Sequence, residues 1–116
     1  MKSAIACAFL IMGLTVSASA RDFSPAQQAK LKDTVKQQLL DADSAKFKLP
    51  PYQGGQIYCG LVNSKNTYGG YAGDAIFQVF VVTPTLFNFM GIGTSDPESV
   101  RSVTMRQSCE QKGYKF

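Results

Sequence analysis

Between residues 45 and 49, apolar Ala45, Phe47 and Leu49 alternate with Lys46 and Lys48, the period-two pattern of a half-buried strand. Pro50-Pro51 ends it, and Gly54-Gly55 marks a loop. Residues 56–63 predict a second strand, with Ile57, Cys59 and Leu61 on one face and Tyr58, Gly60 and Val62 on the other. Residues 74–83 predict the longest strand, stopped by Pro84; Phe77, Val79 and Val81 fill one face while Ile76, Phe80 and Val82 fill the other. A strand apolar on both faces is covered on both sides, so this one is expected in the middle of the sheet. Leu86, Phe87, Phe89, Met90 and Ile92 form a further apolar segment that reads as a strand or a packed loop.

Two segments carry helix-start chemistry. Ser24-Pro25-Ala26-Gln27 combines a Ser-x-x-Gln capping box with proline at the first helical position. Leu31, Val35, Leu39 and Ala42 follow as a narrow apolar stripe, with Lys30, Lys32 and Lys36 off it. That stripe suits a helix laid on a sheet and is too thin for strong interfacial binding. Asp41 to Ser44 reads as a turn. Ser95-Asp96-Pro97-Glu98 repeats the cap chemistry, and Gly113 stands where that second helix would end. Its stripe is poor, because Val100 and Val103 share no face with Met105 and Cys109, and a strand through Val103 and Met105 competes. The expected fold class is α+β: a small antiparallel sheet of three to four strands, an N-terminal helix and a C-terminal helix.

The first twenty residues stand apart. Lys2 precedes an uncharged, mostly apolar run from Ala4 to Val16, and Ser17-Ala18-Ser19-Ala20 puts small residues where a signal peptidase reads them. This predicts a secretory signal peptide over 1–20, cleaved before Arg21, and a single exported, periplasmic domain over 21–116. A membrane span needs about 20 apolar residues, more than the run from 4 to 16 supplies, so no stable anchor is expected after cleavage. Most of the run follows Cys7, whereas a lipoprotein cysteine comes after it.

Composition narrows the chemistry. A chain of 116 residues allows one domain, and 45 % hydrophobic with 17 % charged residues is ordinary globular usage. The absence of histidine removes the commonest general base and the commonest transition-metal ligand, so neither a metal nor a cofactor is expected. The net charge of +4 is spread without a run and falls by one when Lys2 leaves, which does not predict a nucleic-acid partner. Of three cysteines, Cys7 leaves with the leader, and Cys59 with Cys109 remain to form one disulfide in an oxidising compartment. A free thiol or a metal site has no C-x-x-C spacing to support it.

Catalytic candidates are sparse. Asp41 with Asp43 and Asp96 with Glu98 are close acidic pairs in turn or cap contexts. Ser44 with Lys46 and Ser64 with Lys65 are adjacent in the manner of any polar loop, and Gly91-Ile92-Gly93 lacks the third glycine of a dinucleotide fingerprint. The distinctive stretch is 58–73, where amides, a lysine and two tyrosines lie on a glycine-rich loop. Gly69, Gly70 and Gly73 permit positive φ, and Asn63 and Asn66 readily bond their own backbone. One reading is a self-bonded loop. The other is a recognition surface of Lys65, Asn66, Tyr68 and Tyr71, in which Asn66 holds the loop and the two tyrosines bind.

The segments Asp41-Ala42-Asp43-Ser44-Ala45-Lys46-Phe47, Tyr58-Cys59-Gly60, Val62-Asn63, Lys65-Asn66 and Gly69-Gly70-Tyr71 with Gly73 resemble a recurrent pattern. It is similar to that of a group of small exported proteins and lipoproteins of Gram-negative bacteria. That pattern runs Asp-Pro-x-Ser-Ala-x-Phe, then Cys-Gly-x-Val-Asn-x-Lys-Asn-x-x-Gly-Gly-Tyr-x-Gly, then a late Cys before Gly. The likeness covers residues 31–80 plus Cys109 and Gly113, and departs at Ala42, where the group carries proline. It implies an envelope location and a shared small fold, and no reaction. The functional expectation is a non-enzymatic module that binds another envelope protein, in one concrete form an inhibitor or immunity protein for a cell-wall hydrolase. The alternatives are a structural subunit of an envelope or secretion complex docking through Leu86 to Ile92, and a small enzyme working without histidine.

Overall fold

The computed structural model describes residues 22–116. The leader read over 1–20 lies outside the described residues. Helix α1 spans Pro25–Lys36. Its start is the expected capping box: Ser24 Oγ accepts from Gln27 N (3.2 Å) and Gln27 Oε1 accepts from Ser24 N (2.9 Å). Leu31 and Val35 are fully buried, but the helix stops before the end of the stripe; Leu39 packs on the core from the turn that follows, and Ala42–Ser44 form one 3₁₀ turn.

Strands β1 (Lys46–Lys48), β2 (Ile57–Asn63), β3 (Ala75–Thr83) and β4 (Leu86–Ile92) pair antiparallel in the order β1-β2-β3-β4. The longest strand, β3, is central as its two apolar faces require. The apolar segment at 86–92 is a strand and forms an edge. Its alternation splits the expected docking segment, since Phe87 is buried, Phe89 half-buried and Met90 49 % exposed.

Helix α2 spans Val100–Gln111, so the strand alternative through Val103 and Met105 is excluded. The helix begins later than the Ser95 box predicts. Asp96 Oδ1 accepts from Glu98 N (2.9 Å), which closes a separate turn, and Ser99 becomes the cap by accepting from Ser102 N (3.2 Å). Tertiary bonding decides between the two serines. Ser102 Oγ donates to Thr94 O (3.1 Å) and accepts from Thr94 N (3.1 Å) and Ser99 Oγ (2.8 Å), which fastens this turn of helix to the end of β4. The other end is a Schellman close, with Gly113 at φ 92°, Gly113 N donating to Glu110 O and Tyr114 N to Cys109 O, each at 3.0 Å.

The two helices cover opposite faces of the sheet. On one face Leu31 and Val35 of α1 meet Tyr58, Val62, Phe77, Val79 and Phe87. Phe23, just before α1, packs on Tyr52, Tyr58 and Phe87 at centroid distances of 4.8, 4.8 and 5.5 Å. On the other face Cys59 is bonded to Cys109 of α2, with Cα atoms 6.1 Å apart and a sequence separation of 50. Tying off a loop of this length removes about 4 kcal/mol of denatured-state entropy in the chain model. Gly60 permits close strand packing: a Cβ there would fall 2.5 Å from Phe77 Cζ. Tyr58 OH donates to Pro50 O (2.6 Å), and Tyr114 OH accepts from Gln53 N (3.0 Å). Burial, then the neighbouring Tyr114 and Asp22, push the Tyr58 hydroxyl far above the ordinary phenol range. Burial likewise raises Tyr114, against the lowering effect of the Gln53 N–H.

Candidate functional site

The connection between β2 and β3 folds back on itself as a small hairpin. Lys65 and Tyr71 pair across it, Asn66 N donates to Gly70 O (2.8 Å), and Gly69 N donates to Asn66 O (3.0 Å). Asn66 Oδ1 accepts from Tyr68 N (2.9 Å) and Gly70 N (3.3 Å), so the side-chain carbonyl bonds its own loop, as expected. Asn63 Oδ1 accepts from Gly73 N (3.1 Å) at the base. Gly69 and Gly73 take φ of 80° and 108°; Gly70 does not enter the positive region, because the turn needs only one left-handed residue there.

The two halves of the sequence pattern meet here. Ser44 Oγ donates to Asp41 O (3.0 Å) and accepts from Lys65 N (2.9 Å), which pins the hairpin to the turn before β1. This use of its hydroxyl leaves no Ser44–Lys46 dyad. Lys46 reaches over the Tyr71 ring at 4.3 Å from the centroid, and Lys65 stands 5.7 Å from it. Tyr71 is therefore a clasped residue at 42 % exposure, whereas Tyr68 at the tip is 94 % exposed. Lys65, Asn66, Tyr68 and Tyr71 thus share one loop but not one role: the structure brings two lysines to the Tyr71 ring, bonds the exposed Asn66 side chain to its own loop, and leaves Tyr68 outward.

Beside the hairpin lies a groove that the residue patterns do not reveal. It has a volume of about 380 Å³ between α2 and the uncovered part of the sheet, lined by Leu61, Ile76 and Phe116 with Asp74, Arg106 and the Thr94–Ser95 turn. Gly73, at the foot of the hairpin, faces Ser95 across its end, where a Cβ would approach to 3.7 Å. Asp74 pairs with Lys48 at 2.7 Å. With Lys48 71 % exposed, that ion pair is worth at most about 1 kcal/mol. A shallower hollow of about 360 Å³ continues past Leu61 and Phe116 to Lys48 and Lys115. Lys46 and Lys48 flank Phe47, so strand alternation places both on the groove side, a signal legible in the sequence. The contributions of Arg106, Lys115 and Phe116 were not, because they come from a helix and a tail distant in the chain.

Among the described residues, no group of three or more Cys, Asp or Glu is placed to hold a metal ion, and no helix is long and apolar enough to cross a membrane. The hydroxyl of Ser102 in the groove is committed to Thr94 and Ser99, so it serves the joint between β4 and α2. Comparison with family models, curated proteins and solved structures returned no match.

Proposed function

We propose that this chain is an exported, non-enzymatic binding module of the bacterial envelope that grips a protein partner through the hairpin at 64–73. The observation that carries this reading is the contrast at the loop tip. Tyr68 is 94 % exposed, while the backbone beneath it is held by the Asn66 amide and by Ser44. An aromatic side chain on a pre-ordered loop offers large contact area at little ordering cost. The disulfide agrees with an oxidising compartment, and the resemblance to small exported proteins agrees with the envelope. An inhibitor or immunity protein for a cell-wall hydrolase is the concrete form we favour, because a rigid aromatic tip suits insertion into an enzyme cleft.

The test is capture from periplasmic extract by material purified after export, whose intact mass should begin at Arg21. Wild-type protein should retain an envelope protein that Tyr68→Ala loses, since central interface tyrosines often cost about 2 kcal/mol of binding on truncation. Equal capture by both refutes the loop reading. A second reading, docking into a larger envelope complex, draws on one observation: Leu86 and Met90 of the edge strand β4, with Val82 near the end of β3, are 52, 49 and 44 % exposed. Under that reading Leu86→Lys with Met90→Lys loses the partner and Tyr68→Ala does not.

A further inference from the structure

Positive charges scattered in the sequence converge around the groove. Lys46 and Lys48 leave β1 on the groove side, and their cross-strand partners are Asn63 and Leu61. Arg106 of α2 lines the groove together with Asp74, Lys115 lines the adjoining hollow, and Lys65 joins Lys46 at the Tyr71 ring. Three cations, Arg106, Lys48 and Lys115, line the groove and the adjoining hollow; among the described residues that line them Asp74 carries the one carboxylate side chain, and Lys48 pairs with it. Asp96 lies in the turn at the groove's end, where its carboxylate accepts from Glu98 N. The floor between the charges is apolar, formed by Leu61 and Ile76 with Phe116 at the boundary of the two hollows. A surface of this kind fits an occupant with negative charges outside and an apolar group between them.

We propose that the groove takes an extended acidic segment of the protein partner, with a carboxylate on Arg106 and an aliphatic side chain on Leu61 and Ile76. The proposal rests on the reading of the chain as a protein-binding module, and gives that partner a chemical signature. Arginine favours this occupant because its planar fork accepts a carboxylate through two parallel hydrogen bonds. An extended segment carries alternate side chains to opposite sides, so one face of it meets the floor while carboxylates flank it at the rim. A flat anionic bilayer reaches the rim lysines but not the recessed floor.

The experiment is fluorescence anisotropy of the folded, disulfide-bonded domain with a fluorescein-labelled peptide of alternating glutamate and leucine. A lysine–leucine peptide, phosphatidylglycerol vesicles and a single-stranded oligonucleotide serve as competing probes. The glutamate–leucine peptide should bind, and should weaken as ionic strength rises from about 0.05 to about 0.5 M, because the screening length shortens. Arg106→Glu should lower its affinity by at least about tenfold. Lys30→Glu, the same charge change on exposed α1 across the sheet, should leave it within about twofold. Arg106→Gln, which removes charge without reversing it, should fall between them. Absence of peptide binding overturns the proposal. So does equal weakening by Arg106→Glu and Lys30→Glu, or stronger binding to vesicles or oligonucleotide than to peptide. Tyr68→Ala separates the two readings. If the peptide fails to bind but Tyr68→Ala still abolishes partner capture, the groove proposal falls alone. If the peptide binds through Arg106 and Tyr68→Ala leaves capture intact, the loop reading falls and the groove stands.

Discussion

Gly60→Ala probes the packing of β2 against the Phe77 side chain of its neighbour β3. Gly60 is buried and pairs with Phe77, whose ring lies across it; an added Cβ would stand 2.5 Å from Cζ and 2.8 Å from Cε1, with the Lys48 carbonyl at 3.3 Å on the β1 side. No positive φ is involved, so the penalty is steric alone. Phe77 is fully buried and packs edge-on against Phe47 at 6.0 Å, so its ring has little room to swing aside. Overpacking of this sort costs about 1–3 kcal/mol, and for a domain this small each kcal/mol lowers Tm by roughly 4–8 °C. Thermal unfolding followed by circular dichroism should therefore show a fall of roughly 4–24 °C. Phe77→Leu, which removes the clashing ring atoms, should itself cost roughly 1–2 kcal/mol. The double variant should then be more stable than the sum of the two losses by at least about 1 kcal/mol. A Gly60→Ala protein that melts within a degree of wild type, or a strictly additive double variant, refutes the packing argument.

Removal of the disulfide by Cys109→Ser should cost about 2–5 kcal/mol by urea unfolding, and alkylation of denatured, unreduced wild type should find no free thiol at Cys59 or Cys109; two free thiols contradict the pairing. Asn66→Ala strips the acceptor shared by Tyr68 N and Gly70 N and should lower stability by about 0.5–1.5 kcal/mol. Hydrogen exchange at those two amides should speed up, and unchanged protection contradicts the assigned bonds. The raised pKa of Tyr58 makes the folded state favour the neutral phenol, so this contribution is complete below the ordinary value of 10.0 and is lost as pH rises above it. Tm should hold steady up to that pH and then fall, with Tyr58→Phe flattening the alkaline limb; a wild-type Tm independent of pH there refutes the burial argument.

The strands were legible because their burial follows the two-residue period. Ala45, Phe47 and Leu49 mark a half-covered edge, and the two apolar faces of β3 announce a strand with a helix on each side. The Ser24–Gln27 box was equally legible, since capping is local chemistry. Helix α2 was harder to read because its inward face runs Ser102, Met105, Cys109, and a buried serine breaks an apolar stripe. That serine is satisfied only by Thr94 and Ser99, contacts that a pattern along the chain cannot display. The same contacts moved the cap from Ser95 to Ser99. Tyr114 looks like a tail residue in sequence, yet the turn at Gly113 carries it back onto Tyr58 at 5.3 Å. At the hairpin, the amides and glycines forecast a self-bonded loop. The split between Tyr68 and Tyr71 was hidden, because it depends on Lys46 arriving from a different strand. The groove was least legible, being assembled from β2, β3, α2 and the C-terminal residues.

The central claim is that an ordered hairpin presents Tyr68 to an envelope protein. Replacing a side chain this exposed should alter stability by no more than about 0.5 kcal/mol, so binding and folding effects separate cleanly. The most direct measurement pairs thermal melting of wild type and Tyr68→Ala with side-by-side capture from periplasmic extract and identification of the retained proteins by mass spectrometry. The account predicts matching melting curves and at least one envelope protein held by wild type and missing from the variant. Matching curves with the same set of captured proteins on both would contradict it.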